Sequence, residues 1–161
     1  MLTRFAFPLG EGQTFTNPGR PIVAISPDGT QLVYVANQQL HLRSISDLHV
    51  RPIAGTQVTL GILNPVFSPD GQSIAFHSLK DQTLKRIATT GGVPVTICPA
   101  TNPIGMSWTQ DSILFSEPGK GILRVPAAGG TPEVVVSLSQ GEAAASPQML
   151  PDGASILFAL A

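Results

Sequence analysis

Serine, lysine, carboxylate and imidazole groups stand in this chain at spacings that invite a chemical reading. Gly71-Gln72-Ser73-Ile74-Ala75 approximates the frame that presents a serine nucleophile, but such an elbow needs a strand before the serine and a helix after it. Here a turn leads into a strand-like run, and Gln31 holds the same place in a related segment. Gly119-Lys120-Gly121 sets a lysine between glycines without the longer glycine-rich frame and following helix that cradle phosphates, so a hairpin turn is expected. No HRD or DFG triplet of a phosphotransferase occurs. His41, His49 and His77 fall at unrelated places with no acidic or imidazole neighbour at ligand spacing. They read as strand or surface histidines, and neither a metal nor any other cofactor is expected.

Four aspartates invite a different chemistry, since Asp28, Asp70, Asp111 and Asp152 recur 42, 41 and 41 residues apart and could form a carboxylate ring for a cation. Their local frames are Ser26-Pro-Asp-Gly29, Ser68-Pro-Asp-Gly71, the degenerate Thr109-Gln-Asp-Ser112 and Leu150-Pro-Asp-Gly153. Proline presets one turn dihedral, glycine supplies a positive φ, and the aspartate accepts N–H bonds from its own turn. Asp28, Gly29, Asp70, Gly71, Asp111, Asp152 and Gly153 are therefore read as structural turn residues. Cys98, the only cysteine, excludes an intramolecular disulfide and reads as a semi-buried inert thiol. Lys80, Lys85 and Arg86 with Asp81 read as a mixed-charge cluster on a solvated rim.

The elements that carry these residues repeat with the same beat. A period near 41 residues fits four-stranded propeller blades and also helical HEAT or armadillo units. The runs after each aspartate decide between them. Leu32-Val-Tyr-Val, Ile74-Ala-Phe, Ile113-Leu-Phe and Ile156-Leu-Phe are short, β-branched or aromatic, and bounded by turn residues. Both faces of each run are apolar, as a strand sandwiched between neighbouring blades requires. The second unit parses into strands starting at Asn64, Ser73, Thr83 and Pro94, with Gly91-Gly92 as its later hairpin; Gly129-Gly130 and Pro132 repeat that ending in the third. The first turn of the third unit is two residues shorter than the others, because Ile113 lies two after Asp111 whereas Ile74 lies four after Asp70.

The expected fold is all-β: a propeller of four-stranded antiparallel blades, with about three and a half blades present. Blade 1 is assigned to 22–63, blade 2 to 64–104, blade 3 to 105–145 and a half blade to 146–161. Residues 1–21 form a lead-in, with one further strand expected over Arg4 to Leu9. Trp108 ends the first strand of the third unit, where Ile25 and Phe67 stand in its neighbours. It reads as core, with ligand stacking near the central channel as the alternative.

Composition narrows the partners. With nine Lys plus Arg against ten Asp plus Glu the net charge is −1, which provides no basic field for nucleic acid. No run of 18 apolar residues occurs, so no membrane insertion by this chain is expected. The N-terminal apolar stretch is five residues interrupted by Pro8, short of a signal-peptide core of roughly 7–15, and the compartment stays open.

The segments around SPDG, together with Leu84-Lys-Arg-Ile-Ala-Thr-Thr-Gly-Gly-Val-Pro and Leu123-Arg-Val-Pro-Ala-Ala-Gly-Gly-Thr-Pro, resemble the blades of TolB-type β-propellers. More narrowly they look like the sensor propellers C-terminal to bacterial transmembrane serine/threonine protein kinases, in which lead-ins like Arg4-Phe-Ala-Phe-Pro-Leu-Gly-Glu-Gly-Gln13 also occur. The resemblance implies about six blades, an extracytoplasmic position in full-length relatives, and a non-catalytic module that recognises a protein, peptide or small ligand. Any kinase activity would belong to another domain. The alternative is the accessory gating propeller of a prolyl-oligopeptidase-like serine peptidase. Uncovered apolar blade edges are expected to favour self-association.

Overall fold

Short apolar runs separated by Gly- and Pro-bearing turns fold, in the computed structural model, into fourteen strands among the described residues, which are 7–16, 19–46 and 49–160. The first sheet comprises β1 (Val23–Ile25), β2 (Gln31–Ala36), β3 (Gln39–Ser44) and β4 (Val50–Pro52). The second comprises β5 (Ile62–Phe67), β6 (Ser73–Ser78), β7 (Thr83–Ala88) and β8 (Val95–Pro99). The third holds β9 (Met106–Trp108), β10 (Ser112–Glu117), β11 (Gly121–Pro126) and β12 (Glu133–Val136), and the fourth is the hairpin of β13 (Ala144–Met149) and β14 (Ile156–Leu160). Every sheet is an antiparallel meander in chain order. This is the blade pattern expected from the repeat.

Strand alternation explains how the sheets stack. On β2, Val33 and Val35 share a core with Ile74 and Phe76 of β6. The intervening Ala75 of β6 joins Ile113 and Phe115 of β10, and Leu114 packs with Ile156 and Phe158 of β14. Successive side chains point to opposite faces, so each blade offers one set to the blade before it and the other to the blade after. The Gly-Gly hairpins add a backbone contact: Gly92 N donates to Ala54 O (3.1 Å) and Gly130 N to Ile97 O (3.1 Å), each reaching the preceding blade.

Two details depart from the sequence reading. The innermost strands of the second and fourth sheets begin at Ile62 and Ala144, two residues before the divisions placed at 64 and 146. The pairing shifts register between Leu63 and Val66 and between Ala145 and Gln148, and Asn64 and Ser146 take positive φ (52° and 51°). Each precedes a proline, and a bulge lets a strand run through a residue that cannot donate to the ladder. Pro94, placed inside the outer strand by its sequence, lies one residue before β8.

The lead-in is the second departure. Phe7 to Leu9 is irregular rather than a strand, while positions 4–6 of that expected strand, including Phe5, lie outside the described residues. Residues 7–16 instead cover the outward face of the first blade. Phe7 and Phe15 meet the Tyr34 ring edge-on at 4.9 and 6.3 Å, Tyr34 Oη donates to Gln13 Oε1 (2.7 Å), and Arg43 donates to Pro8 O (3.0 Å) while lying 5.1 Å from the Phe7 ring. Tyr34 is fully buried as a result.

Coverage of the flanks is incomplete. Val23 and Ile25 are 43% and 55% exposed on the first blade, and Leu157 and Leu160 are 60% and 58% exposed on the last hairpin. Inside the stack the place of Ile25 is taken by Phe67, which is 6% exposed. The 161-residue chain on its own is expected to associate through these flanks or to unfold readily, with Leu157→Lys raising the monomer fraction in size-exclusion light scattering. A cleanly monomeric parent chain with a sharp, high-temperature transition would contradict this.

Candidate functional site

The turns joining the first and second strands of each blade gather at one end of the stack, and they differ in a way that shapes a surface. In the first, second and fourth sheets six residues separate the closing pair: Ile25 faces Leu32, Phe67 faces Ile74 and Met149 faces Ile156. In the third sheet Trp108 faces Ile113 with only four residues between. Thr109 N and Oγ1 both donate to Ser112 O (2.8 and 3.0 Å), which locks the short turn.

The long turns are held by their aspartates. Asp28 Oδ1 accepts from Ser26 Oγ (2.5 Å) and Thr30 N (3.0 Å), and Asp70 Oδ1 from Ser68 Oγ (2.5 Å) and Gln72 N (2.9 Å). Asp152 accepts from Ala154 N, Ser155 N and Ser155 Oγ at 2.7–3.0 Å. Ser26 and Ser68 hydroxyls in turn accept from Gln31 N and Ser73 N (2.9 Å each), so the Ser73 backbone closes the turn that leads into β6. Gly29, Gly71 and Gly153 all adopt φ near +70°, which glycine reaches without a Cβ penalty. Asp111 is the exception to the role assigned to it. Its turn lacks the two residues that would bring N–H groups round to the carboxylate, and the exposed Asp111 side chain has no hydrogen-bond or ionic partner among the described residues.

The short third turn leaves a trough between its longer neighbours. Two adjoining hollows of about 520 and 530 Å³ share Pro69, Trp108, Gln110 and Asp111. Trp108 is half-buried: it packs against the core between the second and third blades and borders both hollows. Core packing and an open aromatic face thus meet in one residue, at the turn end of its strand.

Arg86 is the residue that the sequence reading misplaced. Lys85 does lie on the rim, paired with Asp81, but Arg86 is its neighbour on a strand and points to the opposite face. It is half-buried in the wall of the trough, its Nε is buried with no hydrogen-bond partner, and it closes no ion pair among the described residues. Alternation of Leu84 and Arg86 against Lys85 and Ile87 was the signal that could have found it. At the other end of the trough Arg124 is neutralised by Glu133, with Nη2 and Nε at 2.6 and 2.9 Å from Oε1.

His41, His77, Cys98 and Lys120 are each taken up by packing or a local contact. His77 is 1% exposed and donates from Nε2 to Ala100 O (2.9 Å); His41 is stacked on Tyr34 at 5.4 Å. Cys98 is 2% exposed, more deeply buried than expected, and burial pushes its thiol up to about 11. Lys120 lies in the β10–β11 turn, 2.5 Å from Glu117 Oε2. Glu117 also accepts from Thr101 N and Asn102 N, pinning the segment between the second and third blades. Among the described residues no group of three His, Cys, Asp or Glu side chains could hold a metal ion, and no helix is long and apolar enough to cross a membrane.

These environments set an acid response. Burial lowers the affinity of His41 and His77 for a proton below the ordinary 6.5. The unfolded chain therefore binds protons first, and stability falls as pH drops below about 6.5. Hydrogen bonds from Ser26 and then Thr30 hold Asp28 at about 2 instead of 3.8, and Asp70 and Asp152 are lowered likewise by Ser68 and Ser155. Their contribution is complete above about pH 4 and disappears as pH falls toward 2. Urea midpoints against pH are expected to show two acid steps, the upper one absent when both histidines are glutamine.

No family model and no curated protein matches the chain. Solved structures do. Hydrazine synthase of Kuenenia stuttgartiensis superposes with a TM-score of 0.69 at 14% identity, covering 94% of this chain and 45% of that one. TolB from Acinetobacter baumannii gives 0.67 at 19% identity over 85% and 36%, and a chain of a nidogen/laminin complex gives 0.71 at 10% over 84% and 54%. An enzyme and a component of a protein complex thus share the architecture, so the likeness speaks to fold. The chain spans about half, or less, of the length of each. The chain is a stretch of β-propeller, with three four-stranded blades followed by a two-stranded one among the described residues.

Proposed function

We propose that this chain is a non-catalytic binding module, the propeller part of a serine/threonine kinase-type sensor, and that it takes a peptide segment of its partner in the Trp108 trough. The observation that carries the binding site is Trp108 itself. A large aromatic ring is left partly exposed where its counterpart Phe67 is covered, and tryptophans in such hollows dominate recognition energetics. The fold supports a binding role through its exposed turn faces, and the kinase-type assignment draws support from the lead-in and Gly-Gly-x-Pro hairpins seen in the sequence. Selection of a random peptide display library on the immobilised chain is expected to yield binders that Trp108→Ala weakens by about tenfold or more. Binders indifferent to that substitution, or hydrolysis or phosphotransfer by the purified chain, would overturn the reading.

A further inference from the structure

The charges around Trp108 specify what the trough selects. Arg86 and Asp111 border the same hollow as Trp108, and both lack a partner among the described residues. A half-buried guanidinium whose buried Nε is unbonded carries an uncompensated desolvation penalty, and its terminal Nη groups, which have no hydrogen-bond partner among the described residues, are the ones a carboxylate can pair with. Neither nearby carboxylate does so: Asp70 is spent on Ser68 Oγ and Gln72 N, and Asp111 makes no ion pair. The contrast within the same surface is informative, because Arg124 and Glu133, equally placed on neighbouring strands, neutralise each other. One cation and one anion are thus left open on a wall that also presents an indole and the apolar rings of Pro69 and Pro126.

Resting on the proposed binding role of the trough, we infer that it reads an extended peptide of alternating charge. An acidic side chain sits on Arg86, an apolar residue covers Trp108, and a lysine or arginine reaches Asp111. An extended chain alternates its side chains and so presents such groups at regular spacing, and opposed charges fix register more than they add affinity.

The test uses peptides selected on the unaltered chain. Replacing their acidic residue with glutamine or asparagine is expected to weaken binding at least tenfold, an effect that Arg86→Gln abolishes. Selection on Arg86→Glu is expected to return peptides with a basic residue at that position. Neutralising the basic residue should weaken binding several-fold, and Asp111→Asn should remove that difference. The peptide-side substitutions keep the test valid even where a protein variant unfolds. Trp108-dependent peptides that tolerate neutralisation of either charge would overturn the inference and leave the binding site standing. A library yielding no Trp108-dependent peptide would overturn both.

Discussion

Phe76→Ala and Phe115→Ala are each expected to destabilise the chain by about 3–5 kcal/mol, whereas Phe158→Ala should cost about 1 kcal/mol. The three phenylalanines hold the same place on the second strand of successive blades, following Ile74 in β6, Ile113 in β10 and Ile156 in β14 at the same interval. Phe76 is 1% exposed and Phe115 fully buried, each packed against the preceding blade from a sheet whose other face the following blade covers, so truncation leaves a cavity that rigid sheets cannot close. Phe158 packs on the third blade's core from the last hairpin, whose Leu157 and Leu160 are exposed, and is only half-buried. Urea unfolding of the three variants gives the ranking directly. Equal losses at all three positions would mean that blades do not draw their stability from both neighbours.

Gly55→Ala is expected to be worse than its size suggests, with a loss of about 3 kcal/mol or more and little folded protein recovered. Gly55 adopts φ +90°, and a Cβ there would lie 1.8 Å from Gly92 O, a backbone atom of the next blade that cannot swing aside. Two separate penalties therefore add, one for the left-handed backbone and one for the clash. Gly29→Ala serves as the control: its φ is +71° with nothing within 4 Å of the added carbon, so only the conformational term of about 1 kcal/mol applies. A thermal melt in which the two variants behave alike would show that the Gly-Gly hairpin does not press on the preceding blade.

The contrast between these glycines shows where the sequence is informative. Turn chemistry is local, so Pro-Asp-Gly located the long turns, and the missing two residues after Asp111 marked the short one. The strand starts read at Ser73 and Thr83 are those of β6 and β7. What could not be read depends on contacts far apart in the chain. The sequence reading starts this strand at Asn64, and only pairing with β6 reveals the bulge that carries the strand back to Ile62. The apolar lead-in looked like a strand because Phe5 and Phe7 alternate, yet Phe7 is used edge-on against Tyr34, on the outward face of the first blade. Gly55 gave no local sign of its role, since its constraint comes from Gly92.

The site was half legible for the same reason. Trp108 stood out by residue type and by its alignment with Phe67, and its exposure follows from the short turn that the spacing had already shown. Arg86 was grouped with Lys80 and Lys85 by proximity in sequence, whereas a strand separates adjacent residues onto opposite faces. Asp111 was grouped with three capping aspartates by alignment, whereas its shortened turn leaves it nothing to cap.

Because Trp108 is the only tryptophan, its indole N–H gives a single resonance, from a residue that borders the trough. Titrating a selected peptide into the isotope-labelled chain is expected to move this resonance progressively and to saturation, together with the backbone amides of Gln110 and Asp111. Saturable peptide binding that leaves the Trp108 indole and those amides unmoved would contradict a binding site in the trough.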